Sequence, residues 1–442
     1  MRLRRMSSAA VIVAVGLGML TTTARAVEPA AGPAAGPAAE PAAGAAAEPA
    51  AGAASAGGAC APAASGVPLP VTQDHGVLQA QVFDRQVPDP SVYAGRVGFV
   101  WGALKAAQPA GVLASSYVTA FRNAPARQYT PEWFKANHPD WIEYTADRTT
   151  PAWEFNNQVY TPIDISNPEV RQWFTTNLID PALAAGFTTI AVDNIGVRND
   201  FKVSGHYDKD GNWVQQFGTD PKDPAWVADV LDWLRYLRDY AHAHGASVAF
   251  NLTFNGSLHD EFQDTSPEYM AALDQMIDIS DIWLNEQGFT VHRVENVVDG
   301  EWQLMFDLLR RHRCKPSIIL NKLPTDYWYQ ATPEQRQWVV ANYLLYRESP
   351  AMLESTGRKD YAMFNEIPEL SADLGKAVTP PVHHGPTLWT RLYQQGLTVV
   401  NPTSATPAQQ TLPPGTWTDL HGIPYAGTIT VPANTGLVLN HG

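Results

Sequence analysis

Residues 186–199, GFTTIAVDNIGVRN, decide the fold that this sequence predicts. The stretch opens at Gly186, runs through mostly β-branched or apolar residues, and ends in the pair Asp193-Asn194 followed by Gly196. This pattern is typical of a buried parallel strand that delivers a carboxylate to one edge of a sheet. An aspartate at a strand end also commonly caps the next helix or fixes a turn, so Asp193 alone does not establish a catalytic site.

The chain on either side alternates between strand-like apolar runs and segments with helical periodicity, as in a β/α barrel or a doubly wound sheet. Eight runs are predicted as strands, at residues 96–102, 111–121, 141–144 with an excursion to 163–164, 186–199, 247–253, 277–286, 316–322 and 351–355. Helices are predicted at residues 169–185, 226–244 and 333–346. We therefore expect an α/β fold, a (β/α)8 TIM barrel. A Rossmann-type sheet is the alternative, but no G-x-G-x-x-G motif follows the first run.

Composition divides the chain into four segments. Residues 1–26 have a basic start, an apolar run too short to span a bilayer comfortably and a small-residue ending, and are predicted to be a cleaved secretory signal peptide. Residues 27–71 repeat Ala, Gly, Pro and Glu and are predicted to be a disordered linker. Residues 72–385 are assigned to the barrel. Residues 386–442, with short alternating runs and turn residues, are assigned to a small C-terminal antiparallel β-sandwich.

Charge and cysteine content limit the partners. Acidic residues number 44 against 30 basic, a net charge of −14, and no Lys/Arg cluster is interleaved with aromatic residues. Nucleic acid is therefore not expected as a partner, nor is membrane insertion after signal cleavage. Cys60 and Cys314 allow one disulfide in an oxidising compartment, but free thiols fit the sequence equally well. Fourteen Trp and sixteen Tyr residues fit either sugar-stacking surfaces or ordinary core packing.

Polar side chains follow the predicted strands at the carboxyl edge of the barrel, where TIM-barrel enzymes place their active sites. Asp193 and Glu286 are the predicted catalytic pair, because hydrolysis of a glycosidic bond needs one ionised and one protonated carboxyl group. The apolar residues before Glu286 are expected to raise its pKa by burial. A structural ion pair of Glu286 with Lys322 or Arg198 is the alternative. The residues predicted to bind substrate are Trp101, Tyr117, Asp164, Asn194, Asn251, Lys322 and Glu354.

The predicted binding residues have different tasks. Trp101 and Tyr117 are expected to form a stacking wall, whereas Asn194, Asn251 and Lys322 are expected to hold substrate hydroxyls. The carboxyl groups that would substitute for a wrong member of the pair are Asp164, Asp281 and Glu354. The long loop at residues 198–224 is expected to overhang the cleft.

The runs NPEVRQWFTTNLIDPALAAGFTTIAVDN, VAFNLTFN, DIWLNEQGF and AMLES resemble the secreted hypothetical glycosyl hydrolase barrels. This loosely characterised group is related to dextranase-like, melibiase-like and polygalactosaminidase-like barrels, and the resemblance covers roughly residues 97–354 and a terminal β-module. In those relatives a fourth-strand Asp is the nucleophile and a later-strand carboxyl group is the acid/base. The resemblance therefore implies a retaining mechanism with Asp193 as nucleophile and Glu286 as acid/base. Relatives differ in the strand and residue type of the acid.

Other chemistries lack their motifs. No H-E-x-x-H, P-loop or G-x-S-x-G is present. His242 and His244 form an H-x-H at a helix end before a strand, on the rim opposite the predicted site. The segment HYDKDGNW resembles part of a calcium loop, but its glycine is misplaced and the closing Glu is missing, so a hairpin is predicted instead. We expect no metal and no cofactor.

These observations predict a secreted or periplasmic glycoside hydrolase that acts on a poly- or oligosaccharide. A non-catalytic carbohydrate-binding envelope protein on the same scaffold is the alternative, although both carboxyl groups of the pair are present. A deacetylase is disfavoured because no metal triad is evident at the predicted active rim.

Overall fold

The structure, a computed structural model, describes residues 66–71, 73–122, 129–152, 160–199, 201–252, 265–286, 288–291, 295–347 and 350–442. All of them belong to one unit, Gly57–Gly442. The predicted signal peptide and most of the predicted linker lie outside these ranges, and the domain boundaries stay predictions. Cys314 is disulfide-bonded, and Cys60 lies outside the described residues. In the described ranges no helix is both long and apolar enough to cross a membrane.

Strands precede residue 360 in the following order: β1 Gln79–Val82, β2 Val97–Trp101, β3 Leu113–Ala114, β4 Ser116–Thr119, β5 Tyr144–Thr145, β6 Thr189–Ile195, β7 Ser204–Tyr207, β8 Trp213–Phe217, β9 Ser247–Leu252, β10 Ile282–Asn285, β11 Thr290–Val291, β12 Glu295–Asn296, β13 Ser317–Lys322 and β14 Ala351–Thr356. One large sheet has the order β3-β2-β1-β14-β13-β10-β9-β6-β4. β3 and β4 are two halves of one strand interrupted at Ser115, and they pair in parallel with β2 and β6, respectively. The sheet therefore closes into a barrel of eight parallel strands, which confirms the predicted TIM-barrel fold.

Two of the predicted strand positions are wrong, and their errors compensate. The first barrel strand is β1, which was not predicted because two glutamines interrupt its short apolar pattern, QAQV. The predicted strand at residues 141–144 and 163–164 lies outside the barrel: β5 belongs to a three-stranded antiparallel sheet of order β5-β7-β8. One omission and one addition leave Asp193 on the fourth barrel strand and Glu286 directly after the sixth. The predicted strand at 277–286 is also too long, because Ile279 still belongs to a helix.

The helices are α1 Pro131–Asn137, α2 Pro168–Phe174, α3 Asp180–Ala184, α4 Pro224–Ala243, α5 Pro267–Ile279, α6 Asp299–Arg311 and α7 Pro333–Tyr346, with a π-helical segment, Thr175–Ile179, between α2 and α3. Short 3-10 helices occur at Pro90–Tyr93, Pro139–Trp141, Trp328–Gln330 and Pro368–Ser371. Five of the α-helices begin in the same way, with a proline in the first turn and a capping side chain before it: Thr130, Asn167, Asp223, Ser266 and Thr332. The cap accepts a backbone N–H that lacks a helical partner, and proline has no N–H to leave unpaired. The three predicted helices are confirmed.

The C-terminal strands are β15 Val382–His384, β16 Leu388–Tyr393, β17 Gly396–Asn401, β18 Ala408–Thr411, β19 Trp417–Asp419, β20 Pro424–Tyr425, β21 Thr428–Val431 and β22 Thr435–His441. They form a six-stranded antiparallel sheet of order β15-β16-β17-β22-β19-β20 and a two-stranded sheet of β18 and β21. Val399 and Leu439 from the larger sheet share one buried cluster with Leu412 and Val431 from the other side. The predicted antiparallel β-sandwich is therefore confirmed.

Helix α7 lies against this C-terminal region and is buried along almost its whole length. The Thr398 hydroxyl donates to the Ala341 carbonyl at 3.1 Å, and the Arg391 guanidinium donates to the Leu345 carbonyl at 3.3 Å. Gly436 approaches α7 so closely that a Cβ there would lie 2.8 Å from the Ala341 Cβ. The barrel and the C-terminal sheet therefore share α7 as a common layer.

Candidate active site

The alternation of side chains along the barrel strands positions the site. A cluster inside the barrel contains alternate residues of successive strands: Ala191, Ala249, Leu284, Leu320 and Met352. Because side chains in a strand point the same way every second residue, the next inward positions lie two residues further on, at the carboxyl ends of the strands. Those five positions are Asp193, Asn251, Glu286, Lys322 and Glu354. The sequence thus brings five polar side chains to one mouth of an otherwise apolar barrel.

Asn251 joins the two predicted catalytic carboxyl groups. Its side-chain Nδ2 donates to Asp193 Oδ1 at 2.7 Å and to Glu286 Oε2 at 2.6 Å. Asn251 is buried, and its Oδ1 has no hydrogen-bond partner among the residues that the structure describes. One amide nitrogen therefore holds both carboxyl groups, which brings together three residues that the sequence analysis selected.

Among the described residues, Asp193 accepts hydrogen bonds from neutral groups only. The Tyr117 hydroxyl donates to Asp193 Oδ2 at 2.7 Å, and the backbone N–H of Asn194 also points to this carboxyl group. Burial, followed by the negative charge of Glu286, raises the pKa of Asp193 above its ordinary value, although the hydrogen bonds from Tyr117 and Asn251 oppose this shift. Asp193 is therefore the member of the pair that holds a proton more readily.

Glu286 has a cation beside it. Lys322 Nζ lies 2.9 Å from Glu286 Oε1, and the Tyr361 hydroxyl donates to the same oxygen. Burial alone would raise the pKa of Glu286, but Lys322 and the hydrogen bonds from Tyr361 and Asn251 lower it to about 2. The expectation that the apolar run before Glu286 raises its pKa is therefore wrong, because the cation outweighs burial. The side chains of Glu286 and Lys322 stay 21% and 10% exposed, so solvent reaches this ion pair.

An aromatic bridge connects the two tyrosines. The Phe83 ring lies edge-on to Tyr117 with centroids 5.4 Å apart, and its centroid is 6.2 Å from that of Tyr361. Each tyrosine donates its hydroxyl to one carboxyl group of the pair, so Phe83 supports both donors. Phe83 follows β1 and has a positive φ of 53°. Tyr117 thus holds a carboxyl group, whereas the sequence predicted it as part of a stacking wall.

Trp101 does not line the cleft. It is 1% exposed and packs in the apolar cluster inside the barrel. Its ring presents no free face to a sugar, so the predicted stacking role is corrected. The residue sits at the end of β2, and its large apolar side chain fills the barrel instead.

The side chains of Asn194 and Glu354 have surroundings of their own and form no hydrogen bond with the pair in the described chain. The Asn194 side-chain oxygen accepts a hydrogen bond from the Arg122 guanidinium. The positive φ of Asn194, 59°, interrupts the regular alternation of side chains along β6. Glu354 is 5% exposed, and burial together with Asp360 raises its pKa well above the ordinary value. In the described parts of the chain no hydrogen bond joins Glu354 to Asp193 or Glu286. The prediction that these two residues touch substrate stays a prediction.

Asp164 and Asp281 lie away from the pair. Asp164 Oδ2 is 3.1 Å from His206 Nδ1, on the three-stranded sheet outside the barrel. Asp281 precedes β10 and accepts from His242 Nε2 at 2.8 Å and from the backbone N–H of Val248 at 2.8 Å. It therefore lies at the edge of the barrel opposite Glu286, and neither residue substitutes for a member of the pair.

The predicted loop at residues 198–224 contains a hairpin. β7 and β8 pair in antiparallel register, and the Asp208 N–H donates to the Asn212 carbonyl at 2.9 Å across the turn. Gly211 adopts a positive φ of 79° in this turn. The prediction that HYDKDGNW forms a hairpin is confirmed.

Three residues of the site were missed by the sequence analysis: Phe83, Arg122 and Tyr361. Phe83 follows a strand that was not recognised, and Tyr361 lies five residues beyond the end of β14. Their contacts depend on the path of loops, and no periodic pattern marks them. A correct β1 would have placed Phe83 at the mouth of the barrel, but no local signal indicates Tyr361.

Residues 112–397 match the sequence model of a family described as hypothetical glycosyl hydrolase family 15. The chain belongs to this family. The matched region runs from the residue before β3 into β17. It includes Asp193, Asn251, Glu286, Lys322 and Tyr361. Membership confirms the predicted class of enzyme, a glycoside hydrolase.

Solved structures show only distant similarity to this member of the family. An α-amylase from Anoxybacillus is 12% identical, with 75% of this chain and 76% of that chain covered and a TM-score of 0.40. An α-amylase from Malbranchea cinnamomea is 11% identical, with 75% and 74% covered and a TM-score of 0.40. A GH31 family sulfoquinovosidase from E. rectale is 11% identical, with 84% and 63% covered and a TM-score of 0.37. Similarities this weak support no statement about the substrate. No curated protein matches the chain.

Proposed function

We propose that this glycoside hydrolase is secreted and cleaves O-glycosidic bonds of a poly- or oligosaccharide by a retaining mechanism, with Asp193 and Glu286 as its catalytic pair. One observation carries the proposal: the Asn251 amide donates to both carboxyl groups at the carboxyl mouth of the barrel. This edge is where TIM-barrel enzymes place their active sites. The apolar run and small-residue ending of residues 1–26 support secretion.

The separation of the two carboxyl groups supports retention of configuration. Because Asp193 Oδ1 and Glu286 Oε2 lie 2.7 Å and 2.6 Å from the same nitrogen, these two oxygens are at most 5.3 Å apart. Retaining glycosidases hold their carboxyl groups roughly 5–5.5 Å apart, whereas inverting enzymes separate them by roughly 6.5–9.5 Å to admit a water molecule. The short separation of these oxygens therefore favours the retaining arrangement over the inverting one.

The retaining reaction has two steps. One carboxylate attacks the anomeric carbon while the other group, as a carboxylic acid, gives its proton to the leaving glycosidic oxygen. The second group, now ionised, then takes a proton from a water molecule, whose oxygen attacks the anomeric carbon and releases the first carboxylate. The pair therefore needs one proton between two carboxyl groups, and the opposite directions of the pKa shifts of Asp193 and Glu286 favour that state.

The charge distribution around the two carboxyl groups bears on which group has which role. Lys322 and Tyr361 favour an ionised Glu286, the form that a nucleophile needs, whereas Asp193 has a raised pKa, as a general acid needs. This distribution favours the reverse of the roles that the family resemblance implies.

Azide distinguishes the two assignments. With the nucleophile replaced by alanine, azide attacks the sugar directly and gives a glycosyl azide of inverted configuration. With the acid/base replaced, the glycosyl-enzyme still forms from a substrate with a good leaving group, and azide then gives the retained configuration. Comparing the azide products of Asp193→Ala and Glu286→Ala on an aryl glycoside therefore assigns both roles.

The first test of the proposal is release of reducing ends from α-glucans, galactans, galactosaminans and bacterial exopolysaccharides by the wild type, Asp193→Asn and Glu286→Gln. We expect turnover by the wild type and losses of several orders of magnitude in both variants. Asp281→Asn is the matched control, because it makes the same change from carboxyl to amide at the opposite edge of the barrel. Near-full activity of either catalytic variant would sink the assignment. Binding without release on every polymer would instead favour a non-catalytic carbohydrate-binding protein.

A further inference from the structure

A second group of ionisable side chains lies outside the barrel, where the three-stranded sheet meets the chain that leads into α2. Glu143, Asp164 and His206 each offer one ligand atom, and these atoms all lie within 4.8 Å of one another. Strand register explains the meeting: Tyr144 pairs with Gly205 on β7, so the antiparallel ladder continues to Glu143 and His206. The catalytic pair uses none of these three residues.

Glu143 lacks the partners that a buried carboxyl group needs. It is 1% exposed, and neither carboxyl oxygen has a hydrogen-bond partner among the residues that the structure describes. The buried hydroxyl of Ser204 lies close to Glu143, and this hydroxyl also has no hydrogen-bond partner among the described residues. A buried, ionised carboxyl group without a partner is strongly destabilising. Among the described residues, no side chain balances the charge of an ionised Glu143.

The surroundings make the group more negative. Asp164 and Asp229 lie close enough to Glu143 for their negative charges to act on it. Within the described ranges no Lys or Arg forms an ion pair with Glu143, Asp164 or Asp229. Arg171, whose charge acts on Asp229, is engaged by Asp232 at 2.6 Å and by the Ile165 carbonyl at 2.5 Å. Either a proton or a cation must occupy this place.

We propose that Glu143, Asp164 and His206 bind a divalent transition-metal ion, of the Zn²⁺ or Mn²⁺ type. Two carboxylates and one imidazole are a set that such ions accept, and an imidazole ligand disfavours Ca²⁺ and Mg²⁺, which prefer oxygen. Three protein ligands leave coordination positions for water. The site departs from the expectation of no metal, and it gives Asp164 a role other than substrate binding.

The ion would act on structure and not on the reaction. Its ligands come from the excursion between the third and fourth barrel strands and from the hairpin that follows the fourth, so it would clip these two loops together. Gln216 on β8 holds the neighbouring carboxyl group of Asp229, to which its Nε2 donates at 2.9 Å. The inference does not depend on the proposed reaction.

Metal content tests the proposal directly. The full-length chain, purified without chelators or a histidine tag, is incubated separately with Zn²⁺, Mn²⁺, Ca²⁺ and Mg²⁺, desalted and assayed by elemental mass spectrometry and by the thermal unfolding midpoint. We expect about one Zn²⁺ or Mn²⁺ per chain, with affinity reduced at least roughly tenfold in Glu143→Gln and His206→Gln. Chelation should lower the midpoint of the wild type, and the same metal should restore it.

Asp208→Asn is the matched control, because it removes a carboxyl group from the same hairpin outside the group of three. It should bind metal as the wild type does. His206 is partly exposed, so His206→Gln keeps the test valid if Glu143→Gln does not fold. An absence of metal above background in the wild type would overturn the proposal and leave a proton on Glu143. Binding that survives in both Glu143→Gln and His206→Gln would overturn it as well.

Discussion

At Glu286 a lysine and a tyrosine converge on one carboxyl oxygen, whereas no Lys or Arg in the described parts of the chain forms an ion pair with Asp193, and this difference favours a negative charge on Glu286. Asn251 donates to both and therefore does not distinguish them. A carboxyl group near an ammonium stays ionised even when burial opposes it. Lys322 thus favours a negative charge on Glu286.

Lys322→Met should shift the acid limb of the pH profile of kcat/KM to higher pH. Lys322 lowers the pKa of Glu286, and burial, which raises it, would then be unopposed by a cation. Glu286 would take up its proton at a higher pH, and activity that needs the carboxylate would be lost earlier as pH falls. Lys322→Arg keeps the charge and is the control. An acid limb that is unchanged in Lys322→Met would contradict this account.

Glu354→Gln should raise the thermal unfolding midpoint at pH 7. Burial and Asp360 raise the pKa of Glu354 in the folded chain. Below its ordinary pKa of 4.5 the side chain is protonated in both the folded and the unfolded chain, and folding costs nothing extra. As the pH rises from there towards the folded pKa, the unfolded chain releases this proton more readily, and the folded chain loses stability relative to it. Glutamine does not ionise and avoids this loss. The advantage of the variant should therefore shrink as pH falls to about 4, which thermal scans at several pH values would measure. A variant whose unfolding midpoint exceeds that of the wild type by the same amount at pH 7 and at about pH 4 would exclude ionisation of Glu354 as the cause.

Sequence reasoning found the residues of the site whose positions follow from strand alternation. Asp193, Asn251, Glu286 and Lys322 end apolar runs, and the structure brings them together. Sequence reasoning failed for residues whose positions depend on the path of a loop. Tyr361, for example, reaches Glu286 from a segment without a periodic pattern. The direction of the pKa shift of Glu286 was also wrong. The ion pair with Lys322, which the sequence analysis named as the alternative, is present, and an apolar run does not show whether burial or a cation on the next strand has the larger effect.

Helix α7 shows how one element serves two cores. Its residues are buried against the barrel and against the C-terminal sheet, so no polar face remains along most of its length. Such a helix lacks the amphipathic stripe of a surface helix and must be covered on both sides. The barrel strands were harder to predict than this helix, since β1 is short and polar, and since the apolar residues at 141–144 and 163–164 fill the core beneath the three-stranded sheet.

Gly436→Ala should destabilise the chain by about 1–3 kcal/mol, because the added methyl would lie 2.8 Å from the Ala341 Cβ and would force α7 and β22 apart. Urea denaturation would measure the change in the free energy of unfolding. Gly300→Ala in α6 is the control, since a Cβ there meets nothing within 4 Å. The control should be neutral or slightly stabilising. Equal effects of the two substitutions would argue against close packing at Gly436.

Across the whole molecule, the C-terminal sandwich and the barrel are linked through α7. The Val438 N–H donates to Gln337 at 3.3 Å, and the Tyr393 hydroxyl donates to the Leu344 carbonyl. Trp389 of β16 also lies 4.9 Å from the Phe306 ring on α6, centroid to centroid. These contacts make the C-terminal segment a part of the barrel's own packing.

A chain that ends before Val382 should fail to fold as a soluble protein. Removing β15 to β22 would expose the apolar outer surface of α7 to water, and large exposed apolar patches promote aggregation. The soluble fraction on expression and the cooperativity of thermal unfolding would measure this. A soluble truncated chain with a sharp unfolding transition would show that the barrel is stable alone.

The burial of α7 on both sides also has a consequence for how substrate preference can evolve. This helix connects β13 and β14, the strands that carry Lys322 and Glu354, so insertions there would disturb two cores at once. The excursion near β5 and the hairpin of β7 and β8 lie outside the barrel and end in turns that tolerate added residues. We expect relatives that act on different sugars to diverge in those two loops, and laboratory libraries for altered specificity should be placed there.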